Sequence, residues 1–401
     1  MKPQIITALD IGSGSVKGIC AKIFDNGILE VIAHAQRTCF VGVRAGEVIK
    51  PEEVAKVIQR VKSELSKKAN IKIRRVLVNI GGGHIQTVPS QGLVSVSRAD
   101  QKISKEDIER VLKAAEAVNL PSNKEILECF PKEFIIDQEG GIKDPLGLEG
   151  IRLEVKVLLA TIFSPVFNNL QQAVETAGLE IANISLSPLA VSRAVLSQEQ
   201  KELGVFLVDI GFGTTSVCAF EKGDLLDFVV FPIGSSHITN DIAIGLRAEI
   251  QTAENIKQEY GTLIPPVSPK AAKEKIKLPE KEIEFSRKFL KDVVESRVLE
   301  IFTEVEKCLR KIAGSEPLPS GIVFTGGGSL LPGLVEFAKQ KFKLPCRLGQ
   351  TRDVKGVESE QFALCYGLAL GFLKEGERRL EHKNNFSASN KIKRVFKLFL
   401  P

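Results

Sequence analysis

Two segments of the chain, half its length apart, each combine an aspartate with two closely following glycines. The first reads Asp-Ile-Gly-Ser-Gly from Asp10, and the second reads Asp-Ile-Gly-Phe-Gly from Asp209. Glycines in a turn let backbone N–H groups approach phosphate oxygens, because no side chain stands in the way. Carboxylates hold Mg²⁺ through the water molecules that this ion retains. The two segments therefore predict a nucleotide-phosphate site in which Asp10 and Asp209 hold Mg²⁺ through water.

The side chains around these glycines suit the same chemistry. Hydroxyl groups follow in both loops, and Lys17 adds a cation to the first. The predicted phosphate-binding residues are Asp10, Gly12, Ser13, Gly14, Ser15 and Lys17 in the first loop and Asp209, Gly211, Phe212, Gly213, Thr214 and Thr215 in the second. For either loop alone, an ordinary glycine hairpin capped by an aspartate is an equally good interpretation. Two copies in the same register favour the phosphate site.

The two loops belong to a longer internal repeat. Residues 8–23, ALDIGSGSVKGICAKI, align with residues 207–221, LVDIGFGTTSVCAFE, with aspartate on aspartate and glycine on glycine. Each copy is an apolar run that enters the glycine turn and leaves as a second apolar run, which is typical of a strand, a tight turn and a strand. The chain is therefore predicted to contain two related halves that face each other across the phosphate site.

A third glycine run follows another apolar strand pattern. Gly326, Gly327, Gly328 and Ser329 come after the residues IVFT and before a helical pattern. A backbone without side chains can pass close to a nucleoside, so this run is a candidate for binding one. Taken alone, it fits a simple helix-entry turn better.

Composition excludes several other classes of protein. With 401 residues and 43% hydrophobic content, the chain is large enough for two to three domains. Its seven cysteines are scattered and never spaced as Cys-x-x-Cys, which argues against a disulfide framework or a zinc site and favours a reducing cytosol. The first residues lack a signal-peptide pattern, so export is not expected. No window reaches the ~18 apolar residues of a spanning helix.

The last eleven residues, KIKRVFKLFLP, combine four cations with an apolar face. They carry four of the six net positive charges, which leaves only +2 for the rest of the chain and argues against nucleic-acid binding. At 100° per residue five apolar side chains share one face and three cations the other, with Leu398 off the apolar face, which predicts an amphipathic helix lying in the interface of an anionic membrane. The predicted membrane residues are Ile392, Arg394, Val395, Phe396, Lys397, Phe399 and Leu400. A helix that docks on the protein's own surface is the alternative for residues 391–401, and residues 381–390 are predicted to be a linker.

Two further segments interrupt the repeat. After a helical pattern at residues 51–68 and a strand pattern that ends near Gly83, residues 84–163 read as a separate α/β unit. Its predicted elements are the strand LVSVS, the helix KEDIERVLKAAEAV, a Pro/Gly-rich loop through Asp144 and Gly150, and the strand RLEVKVLLATI. Residues 241–312 are the second insertion. It is predicted from the helical stretches NDIAIGLRAEI and RKFLKDVVESRVLEIFTEVEKCLRKI, with a Lys/Glu/Pro-rich connection between them.

The three glycine loops, in this order and spacing, resemble the phosphate-1, phosphate-2 and adenosine motifs of the actin/Hsp70/sugar-kinase superfamily. This resemblance covers nearly the whole chain and implies an α/β, actin-like (ribonuclease H-like) two-lobed ATPase fold that uses ATP and Mg²⁺. Within the superfamily, IGSSHITNDIAIGL at residues 233–246 and AENIKQEYG at residues 253–261 are similar to the FtsA family of bacterial cell-division proteins. In that family the positions of Glu254 and Lys257 flank the adenine and the ribose.

The FtsA resemblance also implies the domain organisation. Actin, MreB and Hsp70 place their small first-lobe domain earlier in the chain, whereas the insertion here matches the FtsA-type subdomain 1C. The implied subdomains are 1A at residues 1–83, 164–197 and about 362–380, 1C at residues 84–163, 2A at residues 198–240 and 313–361, and 2B at residues 241–312.

The same resemblance implies partners and a location. FtsA proteins tether the tubulin-like polymer FtsZ to the cytoplasmic face of the cell membrane at the division site, assemble head to tail into filaments, and contact later division proteins through 1C. The helical sequence VVESRVLEIF matches the family's Glu-x-Arg neighbourhood, so Arg297 is the candidate for binding the FtsZ C-terminal peptide. A surface arginine in a helical charge pattern is the alternative for this residue.

Hydrolysis is expected to be slow at most. Relatives that hydrolyse ATP readily position the attacking water with a Gln or Glu where this chain has Ser187, before Pro188, and a serine hydroxyl is a poor base. No catalytic residue is therefore assigned. Two other functions stay open: a sugar-kinase-like enzyme, which would need an aspartate base and no amphipathic tail, and a PilM-type pilus-assembly adaptor, which binds ATP without evident catalysis.

Overall fold

The structure, a computed structural model, describes residues 4–24, 28–278, 283–313, 318–352, 354–356 and 360–382. Contacts divide the chain into a larger unit, from residues 1–83 and 170–369, and a smaller unit, from residues 84–169 and 370–401. The predicted membrane-targeting residues 391–401, and most of the predicted linker, lie outside the described residues.

The N-terminal part of the larger unit builds its first sheet. Its elements are β1 (Gln4–Ile11), β2 (Ser15–Ile23), β3 (Leu29–Thr38), β4 (Val43–Arg44), β5 (Glu47–Val48), α1 (Pro51–Ala69) and β6 (Arg75–Ile80). Helix α1 begins at Pro51, whose fixed φ suits a first helical turn, and ends at Asn70 in the left-handed conformation. Its apolar face, which includes Ile58, Val61 and Leu65, is fully buried, as the helical pattern predicts.

The smaller unit is one antiparallel sheet packed against one helix. Its elements are β7 (Gln86–Ser95), α2 (Lys105–Glu116), β8 (Lys124–Ile136), β9 (Glu139–Ile142) and β10 (Arg152–Phe163). The strand order is β7-β10-β8-β9, and apolar side chains of α2, β8 and β10 form a single core. A capping box between Ser104 and Asp107 starts α2. The insertion predicted at residues 84–163 falls within this unit.

One prediction in this unit is wrong. Residues 124–142 were expected to lie in a Pro/Gly-rich loop, but they form strands β8 and β9. In β8, Pro131 pairs with Val157 and Glu133 pairs with Lys156, so Lys132 between them is an extra, unpaired residue. Such a bulge shifts the alternation of apolar and polar side chains by one position. The period-two pattern of a strand is therefore broken in the sequence.

The remaining elements belong to the larger unit, except that residues 164–169 of the first and 370–382 of the last are part of the smaller one. They are α3 (Ser164–Thr176), β11 (Glu180–Leu186), α4 (Ser187–Val195), α5 (Gln198–Leu203), β12 (Val205–Ile210), β13 (Thr215–Glu221), β14 (Asp224–Phe231), α6 (Ser235–Leu246), α7 (Ile250–Tyr260), α8 (Pro269–Lys273), β15 (Lys275–Leu278), β16 (Ile283–Ser286), α9 (Arg287–Ala313), β17 (Ile322–Thr325), α10 (Leu334–Phe342), β18 (Cys346–Leu348), β19 (Val354–Lys355) and α11 (Ala363–His382).

The two sheets of the larger unit repeat one topology. The first has the order β11-β6-β1-β2-β3-β19, and the second has the order β14-β13-β12-β17-β18. In each, an antiparallel hairpin, β1–β2 or β12–β13, adds a third antiparallel strand on one side. On the other side, the first strand of the hairpin runs parallel to a later strand, β6 or β17. The predicted internal repeat is confirmed, and it places both Asp-Ile-Gly loops at equivalent hairpin turns.

The predicted helix over residues 240–250 is wrong in its extent. Helix α6 ends at Leu246, Arg247 takes the left-handed conformation with φ of 51°, and α7 begins at Ile250. The N–H of Ala248 closes this end by bonding to the carbonyl of Ala243 at 2.9 Å. Helix ends of this kind usually carry glycine at the left-handed position. Because an arginine occupies it here, the sequence has no signal for the break.

Helix α11 continues to His382, so the first two residues of the predicted linker are helical. Its Gly367 packs directly on α4, because a Cβ there would lie 1.7 Å from the carbonyl oxygen of Ala190. Among the described residues, no helix combines the length and apolar character that crossing a membrane requires.

Candidate functional site: a two-loop phosphate cavity

The two glycine loops have the same turn geometry. The N–H of Gly12 donates to the carbonyl of Ser15 at 3.1 Å, and the N–H of Gly211 donates to the carbonyl of Thr214 at 2.8 Å. A Cβ on Gly12 or Gly211 would lie 3.2 or 3.0 Å from the same carbonyl oxygen. A side chain at either position would therefore crowd the turn, and glycine suits both.

The loops meet at a cavity of about 660 Å³ inside the larger unit. All but two of the predicted nucleotide-binding residues line it, namely Asp10, Gly12, Ser13, Gly14, Ser15, Lys17, Asp209, Gly211, Phe212, Gly213, Thr214, Glu254, Lys257, Gly326, Gly327 and Gly328. The loops also touch each other. A Cβ on Gly14 would lie 2.6 Å from Cγ of Phe212, and a Cβ on Gly213 would lie 2.8 Å from the side chain of Ser13.

Asp10 and Asp209 occupy equivalent positions at the ends of β1 and β12. Beside Asp10, the side-chain amide of Asn79 on β6 donates to the carboxylate at 3.4 Å, and its oxygen accepts the N–H of Ile11 at 2.8 Å. Beside Asp209, β17 pairs Thr325 with the aspartate. The hydroxyl of Thr325 is buried and has no hydrogen-bond partner among the described residues. A buried polar group left in this way is typical of a site that a ligand or water completes.

The electrostatics of the aspartate pair favour a bound cation. Lys17 places its Nζ 3.7 Å from Oδ2 of Asp10. Burial raises the pKa of Asp10, and the charge of Lys17 partly opposes this. Burial, together with the negative charge of Asp10, raises the pKa of Asp209 to about 6. Two buried carboxylates beside one lysine therefore fit a divalent cation, which would neutralise both.

The third glycine run combines packing with access to the cavity. A Cβ on Gly326 would lie 2.3 Å from Oδ1 of Asp209, and one on Gly328 would lie 2.5 Å from Cγ2 of Ile210. These two glycines let the loop pack on β12. Gly327 has nothing within 4 Å of a Cβ position and lines the cavity. The run thus leaves room for a flat group beside the backbone at Gly327.

Glu254 and Lys257 form a buried ion pair on α7. Nζ of Lys257 donates to Oε2 of Glu254 at 2.7 Å, to the hydroxyl of Thr239 at 2.9 Å and to the carbonyl of Ser235 at 3.2 Å. Burial opposes ionisation of Glu254, but Lys257 and hydrogen bonds from Thr239 and Gln258 outweigh it and lower the pKa of Glu254. Burial lowers the pKa of Lys257, and the charge of Glu254 and its hydrogen bond oppose this shift.

Two of the predicted residues do not line the cavity. Thr215 is fully buried at the start of β13, opposite Phe231, because the strand alternation turns its side chain away from that of Thr214. Ser329 is also buried, and its hydroxyl donates to the carbonyl of Gly326 at 2.7 Å. Neither hydroxyl is placed to contact a ligand in the cavity.

Ser187 lines the cavity, whereas Arg297 does not. The hydroxyl of Ser187 donates to the carbonyl of Ile80 at 3.0 Å and accepts from the amide of Asn79 at 3.1 Å. Arg297, on α9, is held by Asp241, with Nε and Nη2 donating to its two carboxylate oxygens at 2.8 and 2.9 Å, and it also contacts Glu300. Sequence reasoning did not indicate either set of partners.

Several cavity residues were missed at the sequence level, among them Asn79, Thr325, Gly81, Gly82 and Phe40. A signal exists for Gly81 and Gly82. The first parallel strand continues as Asn-Ile-Gly-Gly-Gly, and its counterpart in the second half continues as Phe-Thr-Gly-Gly-Gly. Extending the internal repeat to these runs aligns Gly81 and Gly82 with Gly326 and Gly327, but it aligns Asn79 with Phe324 and so gives no signal for Asn79 or Thr325. Phe40 lies in a connection without such a signal.

Two family models match this chain. The model described as "Cell division protein FtsA" matches residues 206–367, and the model described as "SHS2 domain inserted in FTSA" matches residues 82–161. Among known proteins, the cell division protein FtsA of Pseudomonas aeruginosa is 36% identical over 393 residues, which cover 96% of this chain and 92% of that protein. FtsA of Neisseria meningitidis is 33% identical, covering 92% of this chain and 89% of that protein.

Solved structures share the fold. One from a PilM-PilN type IV pilus biogenesis complex has a TM-score of 0.66 and 20% identity, covering 91% of this chain and 98% of that one. MreB5 of Spiroplasma citri bound to AMPPNP has a TM-score of 0.55 and 14% identity, covering 95% and 99%. At such identities the likeness concerns the fold alone. The predicted actin-like α/β fold with an FtsA-type insertion is confirmed.

The raised pKa of Asp209 predicts the effect of Asp209→Asn on stability. A carboxyl group whose pKa is higher in the folded state than its usual 3.8 destabilises the fold when it is ionised, so the cost is present above about pH 6 and disappears as pH falls toward about 4. Without nucleotide or Mg²⁺, the variant should melt at a higher temperature than the wild type at about pH 8. The difference should shrink as the pH falls through that window, measured by thermal denaturation.

The matched control is Asp292→Asn, because Asp292 is exposed on α9. This variant should follow the wild type at every pH. A lower melting temperature for Asp209→Asn at about pH 8 would show that the aspartate stabilises the protein without a cation and would contradict the electrostatic account.

Proposed function

This chain belongs to the FtsA family of bacterial cell-division proteins, and from that membership we propose that it is an ATP-binding tether that polymerises and anchors the FtsZ ring to the cytoplasmic membrane. The proposal that the protein binds ATP is supported mainly by the duplicated loop, which brings Asp10 and Asp209 to one cavity. Family membership supports the partners. The basic, amphipathic C-terminal sequence supports the membrane.

ATP with Mg²⁺ is the proposed ligand of the cavity. The two tight turns offer glycine backbone on both sides, Lys17 supplies a cation for phosphate, and Asp10 and Asp209 would hold Mg²⁺ through its waters. Gly327 leaves open space for the nucleoside, and Glu254 with Lys257 supplies polar contacts at the cavity wall. Bound Mg²⁺ would neutralise the charge that the aspartate pair carries.

Hydrolysis is proposed to be slow or undetectable. A residue that positions the attacking water must have a free acceptor and, for fast reactions, some basicity. The proton of the Ser187 hydroxyl is directed to the carbonyl of Ile80, and its oxygen already accepts from Asn79. Serine in this state is a poor base. ATP is therefore proposed to act by occupying the cavity, favouring head-to-tail filaments.

Lys17→Ala should weaken binding of MgATP about ten- to hundredfold, because a hydrogen bond to a charged group contributes roughly 1.5–3 kcal/mol. Titration calorimetry measures the affinity, and a phosphate-release assay on the same samples measures turnover. Lys22→Ala is the control, since Lys22 lies on the same strand but does not line the cavity. Phosphate release at rates typical of an active ATPase, lost in Lys17→Ala, would contradict the proposal of slow hydrolysis.

Deletion of residues 391–401 should abolish co-flotation with vesicles of phosphatidylglycerol and phosphatidylethanolamine. About four cations at roughly 1 kcal/mol each, with partial burial of the apolar face, give reversible attachment of one copy, and several copies on a filament bind more firmly. Phe399→Asp should weaken flotation strongly, because Phe399 lies on the apolar face. Leu398→Asp is the matched control, because Leu398 lies off that face.

If the truncated chain floats as well as the full chain, residues 391–401 are not the membrane anchor. That result would instead favour an adaptor of the PilM type, which the likeness in fold to the PilM-PilN complex leaves as the second candidate. A sugar-kinase-like phosphotransferase has no family-level support.

Arg297 is retained as the proposed contact for the FtsZ C-terminal peptide, with contacts to later division proteins assigned to subdomain 1C. Because Asp241 already binds the guanidinium, a peptide carboxylate must share or displace that contact. Arg297→Glu should weaken binding of the peptide in calorimetry. Arg310→Glu on the same helix is the control, since Arg310 is largely exposed. If Arg297→Glu binds the peptide like the wild type, Arg297 is not a contact.

The charge swap Arg297→Asp with Asp241→Arg separates direct contact from support. It keeps an ion pair between α9 and α6 but moves the positive charge. A direct contact predicts that the swap does not restore binding, whereas restored binding would mean that Arg297 acts by holding α6 in place.

A further inference from the structure

Phe212 belongs to the second half of the larger unit, but its ring lies against the first half. A Cβ on Gly14 would lie 2.6 Å from Cγ of Phe212, so the ring rests directly on the first phosphate loop. The ring of Phe40, which follows β3, lies against it with the centroids 5.5 Å apart and the planes at 32°. Both rings line the cavity. They form a hydrophobic contact that joins the two halves beside the phosphate loops.

The backbone at or next to each ring is bonded to its own half. The carbonyl of Phe212 accepts the N–H of Ser236 at 2.8 Å, which ties its backbone to the first turn of α6. The residue before Phe40, Cys39, donates its N–H to the carbonyl of Gly14 at 3.0 Å. The backbone positions that carry the two rings move apart if the halves separate. Opening the cavity by moving the halves apart therefore breaks the aromatic contact.

The same ring is connected to the ion pair at the cavity wall. Nζ of Lys257 lies 5.6 Å from the centroid of Phe212, within the range of a cation–π contact. Phe212 thus touches the first phosphate loop, Phe40 and the lysine of the Glu254–Lys257 pair. A single side chain of the second half therefore contacts two features of the first half and one of its own.

We propose that Phe40 and Phe212 form a latch between the two halves that slows the release of a bound nucleoside triphosphate. The proposal rests on the nucleotide binding proposed above and assigns Phe40 a positioning role that the glycine loops do not indicate. The contact exists only while the halves are closed, so it opposes dissociation and has little effect on association. Phe40 is 45% exposed, and the latch gives this partly exposed aromatic residue a role at the mouth of the cavity.

Release kinetics of the Mg²⁺ complex of N-methylanthraniloyl-ATP test the latch. The complex is chased with excess ATP, and the fluorescence decay gives the release rate. Phe40→Ala should release the probe about fivefold faster, which corresponds to about 1 kcal/mol, the usual contribution of an aromatic pair. The association rate should stay within about twofold of the wild type. Phe40→Tyr keeps the ring and should release like the wild type.

Val41→Ala is the matched control, because Val41 is the next residue, is 59% exposed and has no ring. It should leave release unchanged. Combining Phe40→Ala with Phe212→Leu should accelerate release less than the product of the single effects, since both remove one contact. A purely structural role of Phe40 would instead lower the melting temperature and change association and release together.

The outcomes separate this proposal from the proposed function. If the wild type shows no saturable binding of the probe, both the proposed nucleotide binding and the proposed latch are contradicted. If the wild type binds and Phe40→Ala releases the probe at the same rate as Val41→Ala, only the latch is overturned. Faster release that Phe40→Tyr does not reverse would also overturn it, because the ring would not be the cause.

Discussion

Asp10 and Asp209 lie in the wall of one cavity, and the cost of ionising both there constrains the rest of the larger unit. Lys17 offsets part of that cost, yet the pKa of Asp209 is still raised to about 6. The site is therefore electrostatically incomplete without a further cation. The two carboxylates and Lys17 must be held in place by rigid elements. The two hairpins and their flanking parallel strands are those elements.

Repetition is how the fold meets this constraint. Each half offers a tight hairpin turn that glycine suits, an aspartate at the end of its first strand, and a polar side chain on the parallel neighbour. The two halves differ in what they add. The first contributes Lys17 and the Asn79–Ser187 hydrogen bonds, and the second contributes Phe212 and the Glu254–Lys257 pair. Such asymmetry suits a cavity that binds an asymmetric ligand.

Local sequence patterns predicted the hairpins, the long helices and the glycine-loop residues of the cavity, because these depend on turn chemistry and periodicity. The predictions that failed depend on other physics. The bulge at Lys132 interrupts the alternating pattern that would indicate β8. The left-handed residue that ends α6 is Arg247, so the glycine that usually marks such an end is missing. Thr215 is predicted in the cavity because it follows the second glycine loop. Its side chain does not line the cavity, because pairing with the neighbouring strands sets the register of β13. Phe40 could not be found at all, since its role depends on a contact with a residue far away in the chain.

One MgATP is proposed to bind between the two Asp-Ile-Gly loops. The sharpest test is a crystal structure of the full chain with a non-hydrolysable ATP analogue and Mn²⁺, because the anomalous signal locates the ion. We expect a single metal peak between the carboxylates of Asp10 and Asp209, with phosphate density between the two glycine turns. Nucleotide bound away from these loops, or a metal peak remote from both aspartates, would contradict it.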